Sequence, residues 1–140
     1  DHYNIDVAGK DVVVIGRSRI VGKPLSDMLL KRDASVTICH SKTKNPDKYT
    51  KQADIVFVAC GIPKYLKSNM IKEGAIVIDI GINSDYDENT QKKVLIGDVD
   101  YEDVKEKIHA ITPVPGGIGP MTIAMLLQNT IASAKNTPIA

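Results

Sequence analysis

The stretch VVVIGRSRIVGKP, residues 12–24, decides the fold. Val12, Val13, Val14 and Ile15 form an unbroken apolar run of the kind that is buried on both faces of a parallel sheet. Gly16 follows at once and permits a sharp turn, and Leu25, Met28, Leu29 and Leu30 then recur at helical spacing. A strand, a glycine turn and a helix in this order are the first step of a nucleotide-binding sheet. The glycines depart from the dinucleotide fingerprint, which places glycine at its first, third and sixth positions. Ser18 stands third, Val21 sixth, and glycine returns one step late at Gly22. As a bare motif, such a turn is equally common where nothing binds.

Working outward, the same pattern repeats. Residues 35–39 (SVTIC), 55–60 (IVFVAC) and 75–80 (AIVIDI) read as further buried strands, each closed by a Gly, Pro or polar turn. A weaker fifth strand is expected at 108–111, after a helix at 101–107, and a last helix at 121–135. Residues 83–93 (NSDYDENTQKK) are polar enough to be an exposed loop. The alternation defines one α/β domain, a doubly wound, mostly parallel sheet of Rossmann-like type spanning residues 1–140.

Composition bounds the function. The 140 residues carry 43% hydrophobic and 25% charged residues, as expected of a single packed domain. The longest apolar runs, 12–15 and 123–127, fall well short of the ~20 residues that cross a bilayer, and the start Asp1-His2 does not read as a signal peptide. A soluble, cytoplasmic protein is expected. The formal net charge of +1 supplies no broad positive field, so nucleic acid is not an expected partner. Cys39 and Cys60 lie 21 residues apart in or beside apolar runs, without the close pairing of a zinc site, and are expected to be reduced thiols. No metal site is expected.

In a doubly wound sheet, ligands gather at the carboxyl ends of the strands near the switch point. At the first end, Gly16, Arg17 and Ser18 place a turn, a charge and a hydroxyl ahead of Ile20, Val21 and a helix whose free amides and dipole favour an anion. At the second, His40, Ser41, Lys42 and Thr43 stand where NAD enzymes carry an acid for the ribose hydroxyls. No acid occurs between Ser35 and Asn45, so together with Arg17 the local chemistry favours NADP. The third and fourth ends, Cys60-Gly61-Ile62-Pro63 and Gly81-Ile82-Asn83, are glycine exits that would let the backbone approach a flat ring, or are plain strand exits. The run TPVPGGIGPMT, residues 112–122, holds three prolines and three glycines within ten residues and cannot be regular structure. It is either a rigid ligand loop of exposed amides or a structural crossover.

Taken in order, Gly16-Arg17-Ser18 with Ile20-Val21-Gly22, Cys39-His40-Ser41-Lys42-Thr43, Gly81-Ile82-Asn83, Gly97-Asp98-Val99-Asp100 and TPVPGGIGPMTIAM (112–125) resemble the bifunctional methylenetetrahydrofolate dehydrogenase/methenyltetrahydrofolate cyclohydrolase family of one-carbon metabolism. The resemblance runs from about Gly9 to Ala134. It implies an NADP-binding domain with cofactor contacts at Gly16, Arg17, Ser18, Ile20, Val21, His40, Ser41, Thr43, Cys60, Gly61, Pro63, Gly81, Ile82 and Asn83. Folate contacts are implied at Pro115, Gly116, Gly117, Ile118 and Gly119. The implied reaction is hydride transfer from the folate methylene bridge to nicotinamide. Hydrolysis of the methenyl product falls, by the same resemblance, to a Tyr-x-x-x-Lys pair in an amino-terminal domain outside this chain, so no catalytic residue is expected here. Residues 1–8 would then be the connection from that domain, the helix 120–135 would pack against it, and the parent enzyme would be a homodimer. The chain would be a separately expressed domain or a proteolytic product, with little activity alone.

Tyr101 and Lys105 also spell Tyr-x-x-x-Lys and share a helix face, as in short-chain NADP oxidoreductases. Glu102, Asp103, Glu106 and Lys107 surround them as on a solvated helix, which favours a surface role. An autonomous NADP-binding module without catalysis is the remaining alternative.

Overall fold

A computed structural model describes residues 3–86 and 92–135. Asp1-His2, the middle of the polar 83–93 segment and the last five residues lie outside the described residues. The chain runs β1 (Asp11–Ile15), α1 (Gly22–Leu30), β2 (Ser35–Cys39), α2 (Asp47–Thr50), β3 (Ile55–Val58), a 3-10 turn (Ser68–Met70), β4 (Ile76–Asp79), β5 (Asn83–Tyr86), β6 (Lys93–Ile96), α3 (Tyr101–Val104), β7 (Ala110–Ile111) and α4 (Ile118–Ala134). Five strands form one parallel sheet in the order β2-β1-β3-β4-β7. The chain leaves β1 to one side for β2 and returns on the other for β3, so the switch point lies between β1 and β3.

The apolar run of β1 is buried because alternate residues feed two separate cores. Val12 and Val14 pack with Leu29, Ala34 and Ile55 on the α1 side. Val13 and Ile15 join Cys39, Val56, Val58, Leu66, Ile71, Val77, Val99 and Val104 on the other. β1 pairs on both edges, with Val14 opposite Ile38 of β2 and Phe57 of β3. Unalternating hydrophobicity is therefore what the central position demands.

Several expectations need correction. Strands β3, β4 and β7 are shorter than their apolar runs: residues 59–60, 75, 80 and 108–109 flank them, with the amides of Ala59 and Ile80 still bonded to the neighbouring strands. The helix at 101 stops at Val104 rather than Lys107, and the final helix begins three residues earlier than expected, at Ile118. The polar 83–93 segment is not simply a loop. Asn83–Tyr86 and Lys93–Ile96 pair antiparallel, with Ser84 opposite Leu95, so Ser84, Asp85 and Lys93 are exposed positions of a two-stranded ribbon.

Helix α4 is apolar nearly all round and none of its residues is buried; Ile123, Leu126 and Leu127 are each 60% exposed or more. Among the described residues no helix is long and apolar enough to cross a membrane.

The amino-terminal ends of the central strands are tied by Asp54, which accepts from the Asp11 amide at 2.9 Å and pairs with Lys72 Nζ at 2.6 Å. The hydrogen bond from Lys72 is the main reason its carboxyl lies below the usual carboxylate range. A depressed folded value means the stabilisation is complete above the ordinary range and is lost as pH falls through the depressed value. The group is a third exposed, so its contribution is about 0.5–1 kcal/mol. Chemical denaturation between about pH 5 and pH 2 is expected to show a steeper acid loss in the native sequence than in Asp54→Asn.

Candidate functional site

Gly16 ends β1 at φ +125°, and a Cβ there would sit 2.2 Å from the Ala59 carbonyl oxygen. A Cβ on Gly22 would meet the Gly16 carbonyl oxygen at the same distance. The two glycines thus let loop 16–22 fold flat against the end of β3, and this replaces the fingerprint's usual glycine spacing. Ser18 closes the loop internally. Its Oγ accepts from the amides of Val21 (3.1 Å) and Gly22 (3.3 Å), and its carbonyl accepts from Lys23 at 3.0 Å. Pro24 has no amide proton.

The expected anion cradle at the start of α1 is therefore displaced. The helix's first amides are occupied by Ser18, and the amides with no partner among the described residues are those of residues 17–20. Arg17 and Arg19 are exposed on this loop with no ion-pair partner among the described residues, and Ile20 is 87% exposed. A loop carrying unpaired amides, two guanidinium groups and the positive end of α1 can hold an anionic phosphate.

Beyond β2, His40 and Thr43 lock each other: Thr43 Oγ1 accepts from the His40 amide at 2.9 Å, and His40 O accepts from the Thr43 amide at 2.7 Å. His40 Nδ1 accepts from the Lys42 amide at 3.1 Å, leaving Nε2 to donate. Ser41 and Lys42 are exposed at the tip. The register β1–β2, with Ile15 opposite Cys39, sets this turn beside the Gly16 loop.

The third and fourth exits are joined by two buried carboxylates that sequence reasoning left without a role. Asp98 is fully buried; its Oδ2 accepts from the amides of Cys60 (2.7 Å) and Gly61 (2.8 Å), and its Oδ1 from Asn83 Nδ2 (2.8 Å). Asp79, 4% exposed, accepts from the amides of Gly81 (2.9 Å), Asp98 (3.0 Å) and Val99 (3.0 Å). Thr112 Oγ1 accepts from the Asp79 amide at 2.9 Å and so ties the Pro-Gly loop to β4. Burial pushes the Asp79 carboxyl up, and the three amides partly oppose it. The legible signal was an acid inside an apolar strand, which no core tolerates unless it is hydrogen-bonded.

Cys60 is half-buried and its thiol is pushed up to about 11, chiefly by burial. Cys39 is fully buried and also raised by burial. Both stay protonated near neutrality. Alkylation of Cys60 followed by mass spectrometry is expected to run roughly 100-fold slower than that of an unperturbed thiol, whereas labelling as fast as free cysteine would mean a more open turn.

The Pro-Gly segment lies across the strand ends. Pro115, Gly116, Gly117, Ile118 and Gly119 line a cavity of about 190 Å³ together with Gly81 and Ile82. Gly119 approaches Ile82 closely enough that a Cβ would lie 3.8 Å from its Cδ1, and Ile82 is 62% exposed. Pro63 and Ile62 are exposed beyond Gly61, outside this cavity. The structure thus places the expected residues in three groups: the Gly16 loop with the His40 turn, the Cys60-Gly61 turn with Asn83 through Asp98, and Ile82 with the Pro-Gly loop.

Tyr101 and Lys105 do not join them. Lys105 Nζ lies 2.5 Å from Glu102, which raises its amine further, and Tyr101 is 46% exposed. A base must lose its proton readily, so this pair has the wrong electrostatics for catalysis. Among the described residues no group of His, Cys, Asp or Glu is arranged for a metal ion.

A parallel sheet, a glycine turn at the switch point and an anion loop without an acid at the next strand end define a nucleotide-binding α/β domain of NAD(P) type. Residues 1–138 match the family described as tetrahydrofolate dehydrogenase/cyclohydrolase, NAD(P)-binding domain, and the chain belongs to it. It is 61% identical over 135 residues to the bifunctional protein FolD of Thermodesulfovibrio yellowstonii and 58% over 134 residues to that of Campylobacter hominis. These matches cover 96% of this chain but only 46% and 45% of the relatives, so the chain spans about half their length. The crystal structure of the FolD dehydrogenase/cyclohydrolase of Campylobacter jejuni superposes with a TM-score of 0.88 at 56% identity, covering 96% of this chain and 46% of that one. A Trypanosoma brucei dehydrogenase-cyclohydrolase, complexed with NADP cofactor and inhibitor, gives 0.89 at 38% identity over the same shares.

Proposed function

We propose that this chain is the NADP-binding domain of a methylenetetrahydrofolate dehydrogenase/methenyltetrahydrofolate cyclohydrolase acting in one-carbon metabolism. The observation that carries the reading is the cavity in which the Gly81-Ile82 exit meets residues 115–119, because it sets a strand end able to face nicotinamide against a loop able to face folate. The residues present fit the cofactor. The unpaired amides of residues 17–20 suit the pyrophosphate, and the Arg17 guanidinium with His40, Ser41, Lys42 and Thr43 suits the extra phosphate of NADP. Cys60, Gly61, Gly81, Ile82 and Asn83 would flank the nicotinamide half, with Pro63 at the margin. When bound, the cofactor supplies the electron-pair acceptor for the folate's methylene bridge.

The chain's own contribution is placement. Gly16 and Gly22 let the loop pack against the end of β3, where it would receive the pyrophosphate, and Ile82 with the Pro-Gly loop gives the cavity an apolar lining that would help keep water out once cofactor and folate are bound. Holding donor and acceptor face to face is the main requirement of this transfer, because the adjacent folate nitrogen stabilises the cation that forms. The hydrolytic step needs proton transfer, for which no paired acid and base lie at this cavity among the described residues. It would fall to residues beyond this chain, in the part of the relatives' length it does not span. The exposed apolar face of α4 would pack on that part, with residues 1–8 as the connection, in a cytoplasmic, homodimeric parent enzyme.

A folate-dependent NADP reduction assay tests the reading. The chain alone should turn over little, and adding the complementary half of a relative should restore turnover. Persistent inactivity despite NADP binding would instead support an autonomous binding module.

A further inference from the structure

We propose that Asp98 is a positioning residue that fixes which end of the Asn83 amide is presented to the cofactor, an inference that rests on the NADP-binding reading above. Asp98 is fully buried and receives three donors: two backbone amides at the Cys60-Gly61 turn on Oδ2, and Asn83 Nδ2 on Oδ1. Consecutive amides of this kind, with Gly61 at φ +68°, form a concavity that attracts anions. Asp98 fills it from within the chain, so a cofactor phosphate finds its unpaired amides at residues 17–20 instead. One carboxylate thereby joins the end of β3 to the start of β5.

The second consequence is chemical. With Nδ2 committed to Asp98, the Asn83 carbonyl oxygen has no donor among the described residues and is left as an acceptor, the group that recognises the amide protons of a carboxamide. While residue 83 is asparagine, the arrangement tolerates no donor facing it from position 98. An asparagine there keeps one acceptor for the two backbone amides but sets its NH2 against that of Asn83. Gly81 allows the packing, since a Cβ on it would lie 2.2 Å from Asp98 Cγ. The cofactor's adenosine half, expected at the Gly16 loop and the His40 turn, is not touched by this network.

The test titrates the protein and its variants with NADPH, followed by fluorescence, and with 2′,5′-ADP as a probe of the adenosine half alone. Asp98→Asn is expected to weaken NADPH by about tenfold or more while 2′,5′-ADP binding stays within about twofold. The swap Asp98→Asn with Asn83→Asp reverses donor and acceptor and is expected to recover most of the loss. Asn83→Ala, at a half-buried position, is expected to show the same selective loss and decides the matter if Asp98→Asn does not fold. Unchanged NADPH affinity in the variants, equal weakening of both ligands, or failure of the swap to recover overturns the proposal. If the native sequence binds neither ligand, the NADP reading itself falls, and the proposal with it.

Discussion

Asp79→Ala is expected to cost about 3–5 kcal/mol of folding stability, a large share of the roughly 5–15 kcal/mol typical of such a domain. The side chain accepts from the amides of Gly81, Asp98 and Val99, and alanine leaves all three without their buried partner. Each buried orphan costs about 1–3 kcal/mol. Loss of charge is not the cause. The Asp79 carboxyl is raised by burial, so its ionised form is disfavoured by the fold, and ionisation works against stability as pH rises through the folded value. Asp79→Asn, which retains an oxygen for two of the amides, is therefore expected to cost about 1–3 kcal/mol. Urea denaturation of the three proteins at neutral pH provides the comparison, and equal stabilities would mean the amides find other partners.

Arg17→Ala is expected to lower NADP affinity about 10- to 100-fold while NAD affinity changes little, because a charge-assisted bond to phosphate contributes about 1.5–3 kcal/mol. Arg17 is exposed and has no competing carboxylate partner among the described residues, so its guanidinium is available to a ligand. The same exposure makes the effect salt-dependent, shrinking as ionic strength rises. A variant that loses NADP and NAD affinity equally would place Arg17 on the pyrophosphate, which both cofactors share.

The sheet was legible because β1 is central: a strand paired on both edges and covered on both faces must be apolar throughout, and Val12 to Ile15 have no other stable place. The ends of elements were less legible. Cys60 continues an apolar run, yet β3 ends at Val58 and the Cys60 amide is supplied to Asp98. The ribbon Asn83–Tyr86 with Lys93–Ile96 was hidden because its exposed strands carry the composition of a loop. At the site, Gly16, Arg17 and the His40 turn were readable from local chemistry. The roles of Asp79 and Asp98 were not, because they depend on bringing amides 2 to 38 residues away onto a single carboxylate. Ser18 has a role that local chemistry did not show: its Oγ accepts from the amides of Val21 and Gly22 and so occupies the helix's first amides, while its O–H is still a donor for a ligand.

Parallel calorimetric titrations of the native sequence with NADP and with NAD test the central claim most directly. The account predicts saturable binding of both, with NADP at least about tenfold tighter at low salt. Equal affinities, or a preference for NAD, would contradict it.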